Sequence, residues 1–367
     1  MIPLRILHLV PDPLDWTAQA AEPVLAALAQ DGHESAWCCP LPHQPDPGGR
    51  TCIGYHPGWW RWWRNERTAA AARAAQWTPD LLHVHALSQL NVGIDLARTL
   101  GLAVVVSVHH SAEAHSARRL RDPLVAWVLV PTEHHRAHFL SRVGLPRDRL
   151  AILPSGVAVA AEPSSLATTS AWSVGHVVSG DYQATRRWLQ AIADIQRSGL
   201  PLVARALTCD DGGETAVRSA AAEIGAEVGC QRHRLLRTFL ESIDVLVLPS
   251  LHEVPDLLPV TAMALGRPVV GFAQGSLPEL VRDGETGILL APGDVQGLGQ
   301  ALRQLHARDR RHEFARISRA LARSRYAAEP VAEATLAVYR AVLGGPDSSS
   351  KVEISSAWRR VTDTRRG

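Results

Sequence analysis

The stretch from Ile243 to Phe272 constrains the fold more than any other. Ile243-Asp-Val-Leu-Val-Leu248 is an almost unbroken apolar run, which predicts a strand buried on both faces, as in a parallel sheet. A polar turn, Ser250-Leu-His-Glu253, follows at once. Thr261-Ala-Met-Ala-Leu265 then predicts a short helix ended by Gly266, and Pro268-Val-Val-Gly-Phe272 a second buried strand. Strand, crossover helix, strand is the right-handed unit of an α/β sheet. Ligands of such sheets bind beyond the carboxyl ends of the strands, where Glu253 and the loop from Ala273 to Glu279 both fall.

At 367 residues the chain exceeds one ordinary compact core, so two domains are expected. A hydrophobic content of 46% with 20% charged residues is that of a folded globular enzyme. The formal charge of +2 gives no reason to expect a nucleic-acid partner. No run approaches the roughly eighteen apolar residues of a membrane span, and Met1 to Arg5 lacks a signal-peptide pattern, so the expectation is a cytoplasmic protein. Five cysteines without metal-type spacing suggest reduced thiols. His134 and His138 can share a helix face, but no third ligand stands at a zinc spacing, and no metal is expected.

The run Leu248-Pro-Ser-Leu-His-Glu253, then Ala262-Met-Ala-Leu-Gly-Arg-Pro-Val-Val270, Leu277-Pro-Glu-Leu-Val-Arg-Asp-Gly-Glu-Thr-Gly287 and Pro292-Gly-Asp294 resembles the donor-binding domain of family 4 retaining glycosyltransferases. Weaker similarity runs from residue 1 to 343. The resemblance implies the GT-B architecture: two Rossmann-like α/β domains facing across a cleft. It further implies a nucleotide-sugar donor as substrate, no separate cofactor, no metal, and a glycan, lipid-linked or small-molecule acceptor. The corresponding boundaries are an acceptor-side domain over 1–160, a donor domain over 171–330, a returning helix over 331–343 and a disordered tail over 344–367.

In the first domain, Arg5-Ile-Leu-His-Leu-Val10 reads as the opening strand and Ala18 to Gln30 as its helix. Between them the family has paired glycines, whereas this chain has Asp15-Trp16-Thr17-Ala18; the tryptophan either stacks on a sugar or closes the space. Asp80 to His85 and Ala103 to His110 read as further buried strands. The resemblance places His109 where a family histidine faces the reacting sugar, and His85 stands at a comparable strand end. Trp59-Trp-Arg-Trp-Trp-Arg64 has the composition of an interfacial membrane anchor. Its alternative is a helix whose Trp59, Trp60, Trp62 and Trp63 pack into their own domain.

In the second domain, the family's glycine, arginine and lysine that hold the donor diphosphate correspond to Gly175, His176 and Asp181. Each charge-assisted hydrogen bond is worth about 1.5–3 kcal/mol. Losing both cations weakens diphosphate binding by roughly a hundredfold to ten-thousandfold unless Arg186 or Arg187 substitutes. Of the family's two site glutamates, Glu253 matches the one that contacts the donor sugar, and Thr261 occupies the place of the one that grips the ribose. Asp256 stands among residues that replace a glycine-rich loop, and it adds negative charge where phosphate is expected. Backbone amides at Gly275 and Ser276 complete the expected site. Three readings follow: an active retaining transferase using Glu253 and His109 with rearranged donor contacts, a degenerate non-catalytic partner, and a sugar- or lipid-headgroup-binding membrane adaptor. The matching Glu253, His109 and 275–279 loop favour the first.

Overall fold

The structure, a computed structural model, describes residues 2–41, 46, 48–55, 70–71, 73–109, 118–159, 172–178, 181–208, 210–232 and 235–344. The Trp59–Arg64 segment, residues 161–170 between the two expected domains, and all but the first residue of the tail lie outside the described residues. The chain divides into two compact units, Met1–Gly156 with Ala327–Gly367, and Val157–Tyr326. Both crossings fall a few residues before the expected boundaries, at a place where the Val157 N–H donates to the Tyr326 carbonyl at 2.7 Å.

The first unit holds β1 (Arg5–Leu9), β2 (Glu34–Pro40), β3 (Cys52–Tyr55), β4 (Leu81–Val84), β5 (Val104–Ser107), β6 (Val125–Val130) and β7 (Leu150–Ile152). They form one parallel sheet in the order β3-β2-β1-β4-β5-β6-β7. Its helices include α1 (Trp16–Gln30), α2 (Leu90–Leu100) and α3 (Glu133–His138). Helix α1 begins two residues before the expected start because the Asp15 side chain accepts from the Thr17 N–H, an N-cap that brings Trp16 into the first turn.

The second unit holds β8 (Trp172–Val177), β9 (Leu202–Thr208), β10 (Gly229–Arg232), β11 (Val245–Leu248), β12 (Val269–Phe272) and β13 (Gly287–Leu290), parallel and ordered β10-β9-β8-β11-β12-β13. Around them lie α4 (Tyr182–Arg197), α5 (Asp211–Ile224), α6 (Leu236–Glu241), α7 (Leu257–Ala264), α8 (Leu277–Leu280), α9 (Val295–Gln304) and α10 (Arg308–Arg325). Every residue of β11 and of α7 is buried, as the unbroken apolar run requires. Each sheet is Rossmann-like, and its strand order reverses direction between β1 and β4, or between β8 and β11.

Helix α11 (Ala328–Leu343) belongs to the first unit. Its Val331, Ala332, Leu336 and Tyr339 join Val24, Leu25 and Leu28 of α1 and Ile6, Val105 and Leu129 of the sheet in one buried cluster. A fully buried aliphatic side chain contributes about 1.5–3 kcal/mol, so this cluster fixes α11 firmly on the first sheet. Among the described residues, no helix is long and apolar enough to cross a membrane.

Candidate active site

The carboxyl ends of β1, β4 and β5 surround a cavity of about 320 Å³ lined by, among others, Asp15, Trp16, His85, Ser107 and His109. It sits at the reversal point of the first sheet, where the chain leaves one strand outward on each side. Trp16 meets His109 edge to face, with ring centroids 5.4 Å apart. The sequence therefore marks two side chains, Trp16 and His109, that share one pocket, together with His85.

Beneath the pocket the sequence reading missed a buried polar row. Strand periodicity turns His8, His83 and His85 to the α1/α11 face, and register pairs His8 with His83. They are 0%, 3% and 5% exposed. His8 Nδ1 lies 2.9 Å from His85 Nε2, so one of the two donates and the other accepts. His83 bonds the Tyr339 hydroxyl at 2.6 Å through Nδ1 and the Ser107 hydroxyl at 2.8 Å through Nε2. Burial first, then the neighbouring histidines, holds all three well below the ordinary imidazole value, and Arg50 adds to this at His8. Three ring nitrogens of this group come within 4.8 Å of one another, as metal ligands can. Both His83 nitrogens are already engaged, however, and its ring lies on that of His85 at 4.0 Å and 30°, so their in-plane lone pairs do not converge. His134 and His138 fall in no such group among the described residues.

In the second unit the loops after β8, β11 and β12 meet. Asp181 caps α4 by accepting from the Ala184 N–H, and its other oxygen accepts from the Ser250 hydroxyl at 2.8 Å. Ser250 Oγ in turn accepts from the His252 N–H at 3.0 Å. Partial burial alone would raise the Asp181 carboxyl, but the hydrogen bonds from Ser250 and Ala184, with His252 and Arg187 nearby, bring it below its ordinary value. A carboxylate therefore holds the start of α4, where the resemblance implies a lysine.

Glu253 is half-buried on the loop after β11. Gly275, at φ +59°, faces it: a methyl group built at Gly275 would sit 3.5 Å from Glu253 Cα. Space is adequate there, so the left-handed backbone is what asks for glycine. Ser276, next in the chain, is 1% exposed and Thr261, on α7, is 7% exposed, and neither hydroxyl has a hydrogen-bond partner among the described residues. Buried hydroxyls without partners are uncommon.

Four expected contacts need correction. Gly175 is inside β8, and its missing side chain leaves room for Ile243 and Phe239, whose atoms would lie 2.5 and 3.0 Å from a Cβ there; it is a packing glycine. His176 is buried in the same strand. Its Nδ1–H donates to the Val247 carbonyl at 3.0 Å, and its Nε2 accepts from the Thr185 hydroxyl at 3.2 Å, leaving no nitrogen for phosphate. Arg186 makes a two-pronged ion pair with Glu223 of α5 at 2.8 and 2.9 Å and is thereby held to that helix. Asp256 is fully buried, within electrostatic reach of Tyr326, and presents no charge to solvent. By contrast, Arg187 reaches the Pro249 carbonyl at 3.4 Å, next to Ser250, so its guanidinium stays at the loop cluster.

Comparison with known proteins agrees with the fold. Residues 22–161 match the family described as Glycosyltransferase Family 4, and residues 170–308 match Glycosyl transferases group 1. The chain belongs to the family 4-type glycosyltransferases of GT-B fold. It is 28% identical over 270 residues to a 2-deoxystreptamine N-acetyl-D-glucosaminyltransferase of Streptomyces fradiae, covering 64% of each chain. It is 36% identical over 115 residues to a D-inositol 3-phosphate glycosyltransferase of Mycobacterium marinum, covering 31% of this chain and 24% of that one. The chain thus spans less than two thirds of the length of these relatives. Among solved structures, a glycosyltransferase from Rickettsia africae superposes with a TM-score of 0.76 at 12% identity, covering 94% of this chain and all of the other. Anabaena HepE in complex with UDP and glucose superposes at 0.73 and 15% identity, covering 91% and 99%.

Proposed function

We propose that this chain moves a sugar from a nucleotide-sugar donor, bound by the loops after β8, β11 and β12, to an acceptor bound in the first-unit pocket. The observation that carries this reading is the close approach of Glu253, on the loop after β11, to the Gly275–Ser276 turn after β12. Glu253 contacts the donor sugar, Ser276 and Thr261 supply hydroxyls to it, and Arg187 offers the nearby positive charge that His176 and Asp181 do not. His109 with Trp16 forms the apolar and polar walls against which an acceptor ring packs. The relatives named for transfer to 2-deoxystreptamine and to inositol phosphate support a cyclic polyol or aminocyclitol acceptor. Retention of configuration and metal independence, which the family resemblance implies, complete the proposal together with a cytoplasmic location.

The Asp181–Ser250 pair favours a second reading, in which the donor site is degenerate, because a carboxylate at the start of α4 repels a diphosphate. A calorimetric titration of the whole chain with UDP, GDP and ADP separates the two. Saturable binding of one of them supports the transferase, and the absence of heat with all three, in a chain that unfolds cooperatively, supports the degenerate form.

A further inference from the structure

Tyr339 on α11 is wholly buried, and among the described residues its hydroxyl has one hydrogen-bond partner, His83 Nδ1. The other ring nitrogen meets Ser107 Oγ, and Ser107 lines the pocket. Tyrosine and serine hydroxyls both donate and accept, so the row of bonds can run in either sense. Counting protons decides between them. If His83 donated from Nδ1 to Tyr339, the phenol's own hydrogen would be buried without an acceptor, which is the costly arrangement. In the opposite sense Tyr339 donates to Nδ1, the neutral imidazole carries its one proton on Nε2, and that N–H donates to Ser107 Oγ. Every hydrogen in the buried part is then used. Burial keeps the phenol protonated and the imidazole neutral, as this sense requires. The Ser107 hydroxyl hydrogen, with no other partner among the described residues, is left to point into the pocket.

We propose that Ser107 is a specificity-determining hydrogen-bond donor of the pocket, and that Tyr339 and His83 are positioning residues that fix the direction of its proton. At that point the pocket takes an atom with a lone pair, such as a hydroxyl or ether oxygen, and disfavours an ammonium group. This rests on the reading of the pocket as the acceptor site. It also gives α11, which is 256 residues from His83 at Tyr339, a part in setting the polarity of that site.

The test is a long-range ¹H–¹⁵N correlation spectrum of the full chain labelled at histidine, which reports which ring nitrogen of His83 carries the proton. The expected result is a proton on Nε2 in the wild type, retained in Ser107→Ala, with a second tautomer emerging in Tyr339→Phe. A wild-type proton on Nδ1, its transfer to Nδ1 in Ser107→Ala, or wild-type ring signals in Tyr339→Phe would each overturn the proposal. Ser107→Ala changes a pocket-lining residue outside the core cluster, so it remains informative where Tyr339→Phe does not fold. The spectra need neither donor nor acceptor. Their outcome is therefore independent of whether the chain transfers sugar.

Discussion

Acidification should destabilise the second unit through His176, and the size of the effect follows from its surroundings. Burial lowers this imidazole from its ordinary 6.5 to about 4, outweighing the Val247 carbonyl and Asp181, which raise it. An unfolded chain takes up a proton at this histidine below pH 6.5, whereas the folded chain resists until about pH 4. The stabilisation is therefore present above pH 6.5 and is lost as pH falls toward 4. At about 1.4 kcal/mol per unit, roughly 2 kcal/mol disappears between pH 8 and pH 5. The buried His8, His83 and His85 shift in the same direction, so the group is isolated by comparing wild type with His176→Gln. Urea unfolding at pH 8 and pH 5 should show a loss about 2 kcal/mol smaller in the variant. Equal pH dependence in the two proteins would mean that His176 titrates as an exposed histidine, and would refute its placement inside β8.

Other expectations follow from the same geometry. His176→Arg, which a comparison of motifs alone would suggest as a gain of phosphate binding, should lower stability by about 3 kcal/mol or more in chemical denaturation, because it buries an unpaired guanidinium. Arg187→Ala should weaken nucleoside diphosphate affinity in calorimetry roughly tenfold or more, while Arg186→Ala leaves it unchanged, since Arg186 is occupied by Glu223. Asp181→Asn, which preserves the helix cap, should raise that affinity by a few-fold by removing one negative charge; an unaltered affinity would place the diphosphate elsewhere.

The parallel sheets were legible because buried strands such as Val245–Leu248 and Val269–Phe272 are apolar throughout, as strands covered on both faces are. The positions of His109 and Glu253 at strand ends were legible for a related reason: each closes or follows such a strand. The errors arose where a motif position was equated with a side-chain direction. Gly175 and His176 lie one apart within a strand, so neither stands on the loop that a phosphate approaches. Adjacent arginines on α4 diverge by about 100° around the helix, and only the partner, Glu223 or the Pro249 carbonyl, tells which way each points. His8, His83, Ser107 and Tyr339 were invisible as a group because their proximity depends on the register of β1, β4 and β5 and on where α11 docks. Each strand contributes one or two polar residues to an apolar run, a signal that becomes a pattern only once the strands are aligned.

Whether Glu253 and its neighbours act on a nucleotide sugar is open to direct measurement. The direct measurement is release of nucleoside diphosphate from UDP-, GDP- and ADP-sugars by the full chain, with cyclic polyols and aminocyclitols as acceptors, alongside Glu253→Gln. Wild type should release diphosphate from one donor in an acceptor-dependent manner, and Glu253→Gln should lose at least a hundredfold in turnover with an unchanged unfolding midpoint, because Glu253 sits on a half-buried loop outside the core. Full turnover in Glu253→Gln would show that Glu253 takes no part in the reaction.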